Sequence, residues 1–158
     1  MTSVTITENQ NSRVLLRELE DIAFAGLLRG RTQNMKIGEL SGIHEFRVRV
    51  VGLILGGHVE TAIRLLARHY GVREPRLRVG TVKKHRKVLA CYVERERQIY
   101  LSNSSFMTDP FVVLHEFYHH IRASGVGKSR QVESRADLFA ADFLRDFISW
   151  KKAVGEEI

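Results

Sequence analysis

The chain has one cysteine, no long apolar run and no signal peptide pattern, and each of these features excludes a class of protein. Its single cysteine, Cys91, cannot form an internal disulfide, which predicts a reducing compartment. The longest apolar stretch, at 50–57, is far shorter than the roughly 20 residues that span a bilayer. The polar first 13 residues lack the basic and apolar regions of a signal peptide. We therefore expect a cytoplasmic protein with no membrane partner.

Positive charge exceeds negative charge, and much of the excess is local. The 25 Lys and Arg residues against 18 Asp and Glu give a formal net charge of +7. Between positions 76 and 93 six basic residues precede the first acidic one, at 94. This segment is either a solvated loop and hairpin surface or a patch that contacts nucleic-acid phosphates. The residues of the candidate patch are Lys83, Lys84, Arg86 and Lys87.

The apolar periodicity predicts an α+β fold in which helices precede and follow a small sheet. Helices are expected over 12–29, over 36–57 (where a strand fits less well), over 58–72, from Pro110 to Gly125 and over 129–152. A strand is expected over 76–82 and a hairpin over 87–102, with its turn near Glu94 to Arg97. We divide the chain into an N-terminal helical segment, 1–57, packed on the same domain as a core, 58–158.

Three of the seven histidines fall within LHEFYHH, residues 114–120. On a helix, His115 and His119 lie one turn apart on the same face, so both can reach one zinc ion at about 2.0–2.1 Å. Glu116 lies about 100° round the helix, where it can hold a water beside the metal. HExxH on an amphipathic helix is typical of zinc hydrolases, although a helix with two surface histidines and a salt-bridging glutamate has the same letters.

The candidates for the third metal ligand can be narrowed by elimination. A catalytic zinc usually has three protein ligands, and no histidine follows His120, so an acid must serve. Glu133 lies 14 residues beyond His119, after a turn that contains two glycines. Asp137, one helical turn further, is placed to accept a hydrogen bond from the free N–H of a ligating histidine and so to fix its tautomer. Solvent-exposed helix charges are the alternative interpretation of both acids.

HEFYHH followed by ESRADLFAADFL resembles the ImmA/IrrE family of small gluzincin-type metallopeptidases. The family pattern is HExxH, then Glu, two residues, Ala-Asn and an apolar Phe-Ala run. Glu133, Ala136, Phe139 and Ala140 match it in register, whereas Asp137 stands where Asn is usual. The resemblance covers roughly residues 58–145. The SprT-like proteases are more distantly similar, but they commonly use a downstream histidine that this chain lacks.

The resemblance implies a minimal zincin-like domain whose cofactor is Zn²⁺ and whose substrate is a regulatory protein such as a repressor. In that mechanism Glu116 is the general base that activates a water. The strand residues Ile99, Tyr100 and Leu101 are expected to form an exposed edge that holds an extended peptide. The oxyanion donor is left open among His120, Tyr118, Tyr92 and Tyr100. The alternative function is a nucleic-acid-associated protein with a structural or vestigial zinc site.

Overall fold

The structure, a computed structural model, describes residues 4–5, 42–82, 87–125 and 131–155. The helix predicted over 12–29 lies outside the described residues. The described part is α+β, as predicted, and consists of four helices and a small mixed sheet. The helices are α1 (Gly42–Leu55), α2 (Val59–Tyr70), α3 (Pro110–Ser124) and α4 (Val132–Gly155). The strands are β1 (Val4–Thr5), β2 (Arg76–Val79), β3 (Ala90–Val93) and β4 (Gln98–Leu101).

The sheet has the strand order β1-β3-β4-β2. Strands β3 and β4 form the predicted hairpin, joined by a short 3-10 turn over Glu94–Glu96. Arg97 completes the turn in the left-handed conformation, at a φ of 49°. Strand β1 pairs antiparallel with β3, and β2 pairs parallel with β4. The hairpin is therefore the centre of the sheet, with one further strand on each side.

The prediction that Ile99, Tyr100 and Leu101 form an exposed edge is wrong. Strand β4 pairs with β2 on one side and with β3 on the other, so its backbone hydrogen-bonding groups already have partners in the sheet. The residue pattern of a strand indicates that it pairs, but not which strands lie beside it, because strand order depends on long-range contacts. An extended peptide cannot add to β4 without displacing a neighbouring strand.

Short-range interactions fix the start of α3 and the end of α2. The Asp109 carboxylate accepts a hydrogen bond of 3.1 Å from the Val112 N–H, and Pro110 occupies the first turn of α3. Gly71 ends α2 in the left-handed conformation, at a φ of 65°, where a side chain would be strained. Residues 42–55 form a helix rather than a strand. Its apolar face, with Val50, Val51 and Ile54 fully buried, packs on α4.

Helix α3 contacts both the sheet and α4 and has the largest buried fraction of the described helices. Ten of its 15 residues are buried, including Leu114 and Phe117 at 0% exposure. Burying one such side chain stabilises the fold by about 1.5–3 kcal/mol. None of the described helices is long and apolar enough to cross a membrane. The four buried polar side chains of α3, His115, Glu116, His119 and His120, lie within the protein core, where such groups usually require a specific partner.

Candidate metal centre

His115 and His119 lie side by side on α3, exposed by 1% and 3%. Their Nε2 atoms are 3.1 Å apart, as the one-turn spacing predicts. The Nδ1 atom of His115 is 2.9 Å from Oδ1 of Asp137. Because a carboxylate only accepts hydrogen bonds, Nδ1 of His115 carries the proton and its Nε2 presents a lone pair toward His119. Asp137 thus fixes the His115 ring in the tautomer that a metal ligand needs.

Glu133, in the first turn of α4, completes a group of three donors. Its Oε2 is 3.3 Å from Nε2 of His115, and its Oε1 is 3.3 Å from Nε2 of His119. The ligand atoms of all three residues lie within 4.8 Å of one another. Two donors that bind a tetrahedral ion at 2.0–2.1 Å are about 3.3 Å apart. These separations match those around one zinc-sized cation, with a different carboxylate oxygen of Glu133 nearest to each histidine.

The protonation states of these groups follow from their burial. Desolvation lowers the pKa of His115 to about 4. Desolvation and then the nearby His115 lower the pKa of His119 to about 3. Both imidazoles are therefore neutral at physiological pH and can donate lone pairs. Burial, and after it the charge of Asp137, raises the pKa of Glu133 to about 7, so a cation binding there competes with a proton.

Glu116 is fully buried, and none of the described residues gives either of its carboxylate oxygens a hydrogen bond of normal geometry. Burial raises its pKa well above the ordinary value, the charge of Glu133 raises it further, and the backbone N–H of Tyr92 opposes the shift. A buried polar group without a partner costs roughly 1–3 kcal/mol, and more when charged. The three converging donors lie close enough to bind one cation and are of the types that zinc uses, so the residues present fit zinc.

Two of the four candidate oxyanion donors bond to each other and to the backbone. The His120 Nε2–H donates to the Arg73 carbonyl at 2.6 Å, which leaves Nδ1 of His120 to accept the Tyr92 O–H at 2.9 Å. Burial lowers the pKa of His120, so its ring is neutral and has no further proton to donate. This link joins α3 to β3 and to the loop before β2. Sequence reasoning missed it, and the histidine directly after HExxH was its only signal.

The other two candidates are placed differently. The Tyr100 hydroxyl donates to the Glu96 carboxylate within the hairpin turn, which occupies its proton. The Tyr118 ring packs near His119 and Phe139 and is half-buried. Of the four, Tyr118 alone has a hydroxyl for which no bond is described, so the oxyanion donor is not assigned.

Only part of the basic segment over 76–93 lies within the described residues. Lys83, Lys84 and Arg86 lie outside the described residues, whereas Lys87 is described and exposed. Arg76 and Arg78 are exposed on β2, at the end of the sheet opposite to β1. The nucleic-acid interpretation of this segment stays a prediction.

Comparison of the chain with models of known protein families, with curated proteins and with solved structures found no match. The resemblance to the ImmA/IrrE family thus depends on the motif residues alone. Function is accordingly inferred from the geometry of the site.

Proposed function

We propose that this protein is a zinc-dependent peptidase with a zincin-like domain, in which His115, His119 and Glu133 hold the metal and Glu116 is the general base. The observation that carries the proposal is the buried Glu116 carboxylate beside the three donors, to which none of the described residues gives a hydrogen bond of normal geometry. A structural zinc site uses four protein ligands and has no need of such a group. The nucleic-acid alternative does not account for it.

The side chains have separate tasks in peptide hydrolysis. A zinc ion held by the three donors would supply Lewis acidity, which lowers the pKa of a water and polarises the substrate carbonyl. Glu116 accepts a proton from the water as the water oxygen bonds to the carbonyl carbon. It then donates that proton to the leaving nitrogen as the C–N bond breaks. The high pKa that burial gives Glu116 suits the first transfer, because a more basic carboxylate accepts the proton of the water more readily.

Zinc is favoured over other divalent metals because mixed histidine and carboxylate ligands suit it, although manganese, iron and cobalt can bind similar sets. The proposed substrate class is a cytoplasmic regulatory protein, including one bound to DNA, as the ImmA/IrrE resemblance implies. The exposed side of the site, where Glu133 is 50% accessible, leaves room for a polypeptide to approach.

The test compares two conservative substitutions that separate metal binding from chemistry. Glu116→Gln should keep one equivalent of zinc and lose about 100- to 10,000-fold in the cleavage rate of fluorescein-labelled casein. Glu133→Gln should lower both the zinc content and the cleavage rate. Zinc is measured by elemental analysis of the purified proteins, and Glu60→Gln, an exposed glutamate on α2, is the matched control. Wild-type cleavage by Glu116→Gln would show that the protein is not a peptidase of this kind.

A further inference from the structure

The edge of β3 that lies beside Glu116 is covered by the chain's own strand β1. In the strand order β1-β3-β4-β2, the inner side of β3 pairs with β4 and its outer side with Val4–Thr5. We propose that the outer edge of β3 is the peptide-binding edge of the site and that β1 occupies it as an intramolecular competitor. An extended substrate segment then binds by displacing β1. This inference rests on the proposed peptidase function.

The hydrogen-bond alternation of the hairpin shows which backbone groups face this edge. The Ser102 N–H donates to the Leu89 carbonyl at 2.9 Å, so residues 89, 91 and 93 direct their backbone groups toward β4. Ala90 and Tyr92 therefore direct their N–H and C=O groups outward, toward β1. Strand β3 packs on α3, which carries Glu116, and the Tyr92 N–H lowers the pKa of the Glu116 carboxylate. The outward-facing edge and the proposed general base are thus adjacent.

The position of this edge relative to the metal ligands is fixed by side-chain contacts. Strand β3 packs on α3, and the Tyr92 O–H is bonded to His120, the residue after the ligand His119. An extended segment that pairs with β3 therefore passes Glu116 in a defined register. Peptide ligands commonly bind in this way, as an added strand whose main-chain bonds give affinity. Strand β1 already has the extended, antiparallel arrangement that such a ligand would adopt.

The pairing of β1 with β3 is short, which makes its displacement feasible. It joins Val4 to Tyr92 and Thr5 to Cys91 and extends no further among the described residues. A ladder of two residues supplies few hydrogen bonds, and short terminal strands open locally at low free-energy cost. A substrate segment that pairs with all four residues of β3 makes more bonds than the strand it replaces.

A reversible disulfide can lock β1 in place. Because the backbone of Tyr92 faces β1, Thr5 and Cys91 form the neighbouring non-hydrogen-bonded pair, whose Cα atoms are about 4.5 Å apart in an antiparallel ladder. That separation lies within the range that a disulfide spans. Cys91 is the only cysteine of the chain, so Thr5→Cys allows a single intramolecular bridge. Diamide closes the bridge and tris(carboxyethyl)phosphine reopens it.

Oxidised Thr5→Cys should cleave labelled casein at least tenfold more slowly than the same protein after reduction, with equal zinc content in both states. Thr5→Ser and wild type, treated identically, should show no redox effect. Equal cleavage by the locked and unlocked forms would overturn the proposal while leaving the peptidase function intact.

A binding measurement decides the edge assignment even if no form cleaves casein. The probe is a dye-labelled peptide with the sequence of residues 1–8, MTSVTITE, followed by fluorescence anisotropy. Val4→Pro removes the N–H that pairs with Tyr92, so the peptide should bind this variant several-fold more tightly than wild type. Val4→Ala keeps that N–H and should resemble wild type. Equal affinity of the peptide for Val4→Pro and for oxidised Thr5→Cys would show that β1 does not occupy a peptide-binding edge.

Discussion

The two helices that meet at the candidate site contribute to it in opposite ways. On α3, the side chains of His115 and His119 are each exposed by 2%, whereas on α4 the side chains of Glu133 and Asp137 are exposed by 50% and 41%. The neutral imidazoles and the proposed general base are thus enclosed by the core, and the carboxylates that supply negative charge lie at the surface. The difference shows that a site can take its buried neutral donors from one helix and its charged groups from another. This arrangement is favourable because a charged group at the surface loses far less hydration free energy than one in the core.

The contact between the two helices explains how α4 nevertheless orients its carboxylates. Ala136 and Ala140 are fully buried and so bring the backbone of α4 close to α3. The Phe139 ring packs on Tyr118 of α3 at a centroid distance of 5.4 Å. Glu133 and Asp137, one turn apart, flank Ala136, so the same packing directs both side chains toward the histidines. The exposed half of the site is therefore positioned by buried contacts a few ångströms away.

The largest expected effect comes from removing a buried donor. His119→Ala should lower zinc affinity by more than the roughly 100-fold upper range for loss of an outer partner, because no other described side chain can take its place. Glu133→Ala should weaken binding by less, since water can replace an exposed carboxylate as ligand. Competition with a chromogenic chelator measures both affinities. Equal losses would contradict the division of the site into a buried half on α3 and an exposed half on α4.

The next effect concerns the hydrogen bond that joins the two helices at the site. Asp137→Ala should lower zinc affinity by about 10- to 100-fold, because His115 loses the acceptor that fixes its tautomer. Asp137→Asn should keep most of the affinity, since an amide oxygen can accept the same N–H. The same chelator competition compares the two variants. If both lose affinity equally, the charge of Asp137 matters rather than its acceptor.

A smaller effect is expected on the stability of the metal-free protein. Burial raises the pKa of Glu116 above its unfolded value, so protonation stabilises the fold below about pH 4.5, and this contribution is lost as the pH rises toward the folded pKa. Glu116→Gln does not titrate and should therefore stabilise the metal-free protein at pH 7 and leave its stability nearly unchanged at pH 4. Urea unfolding in the presence of a chelator measures the difference.

Glu133→Gln is the control for that measurement. The pKa of Glu133 is also raised, to about 7, but its side chain is half-exposed and solvent screens the interaction. Its substitution should therefore stabilise the metal-free protein by clearly less than Glu116→Gln does. A larger effect at Glu133 would mean that the exposed half of the site, rather than the buried half, carries the unfavourable electrostatics.

The parts of the site that could be predicted from the sequence depend on local geometry. His115 and His119 face one another because residues four apart on any α-helix do, and Asp109 caps that helix because its side chain reaches an N–H three residues on. Glu133 and Asp137 were identified by elimination and by their one-turn spacing, and the structure brings both to the histidines. Short-range rules and a count of the remaining donors were sufficient for these positions.

The parts that could not be predicted depend on long-range neighbours. Strand β4 was expected at an edge, but β2, which precedes it by 22 residues in sequence, lies beside it. Tyr92 and His120 were considered as free donors, but the fold brings them together across 28 residues. In both cases the residue types allow several partners, and the packing of the sheet on α3 decides between them. Strand order and buried polar pairing therefore required the structure.

The smallest expected effect concerns the N-terminal cap of α3, which should affect the stability of the protein but not the position of the buried half of the site on this helix. Asp109→Ala removes the side-chain cap of α3 and should destabilise the protein by about 1 kcal/mol. Asp109→Asn, which also caps helices well, should be nearly neutral. Because the histidines lie more than one turn from this end and are held by the core, zinc affinity should change less than twofold in either variant. Urea unfolding and chelator competition provide the two measurements, and a parallel loss of affinity in Asp109→Ala would show that the position of the ligands depends on the end of the helix rather than on its packing.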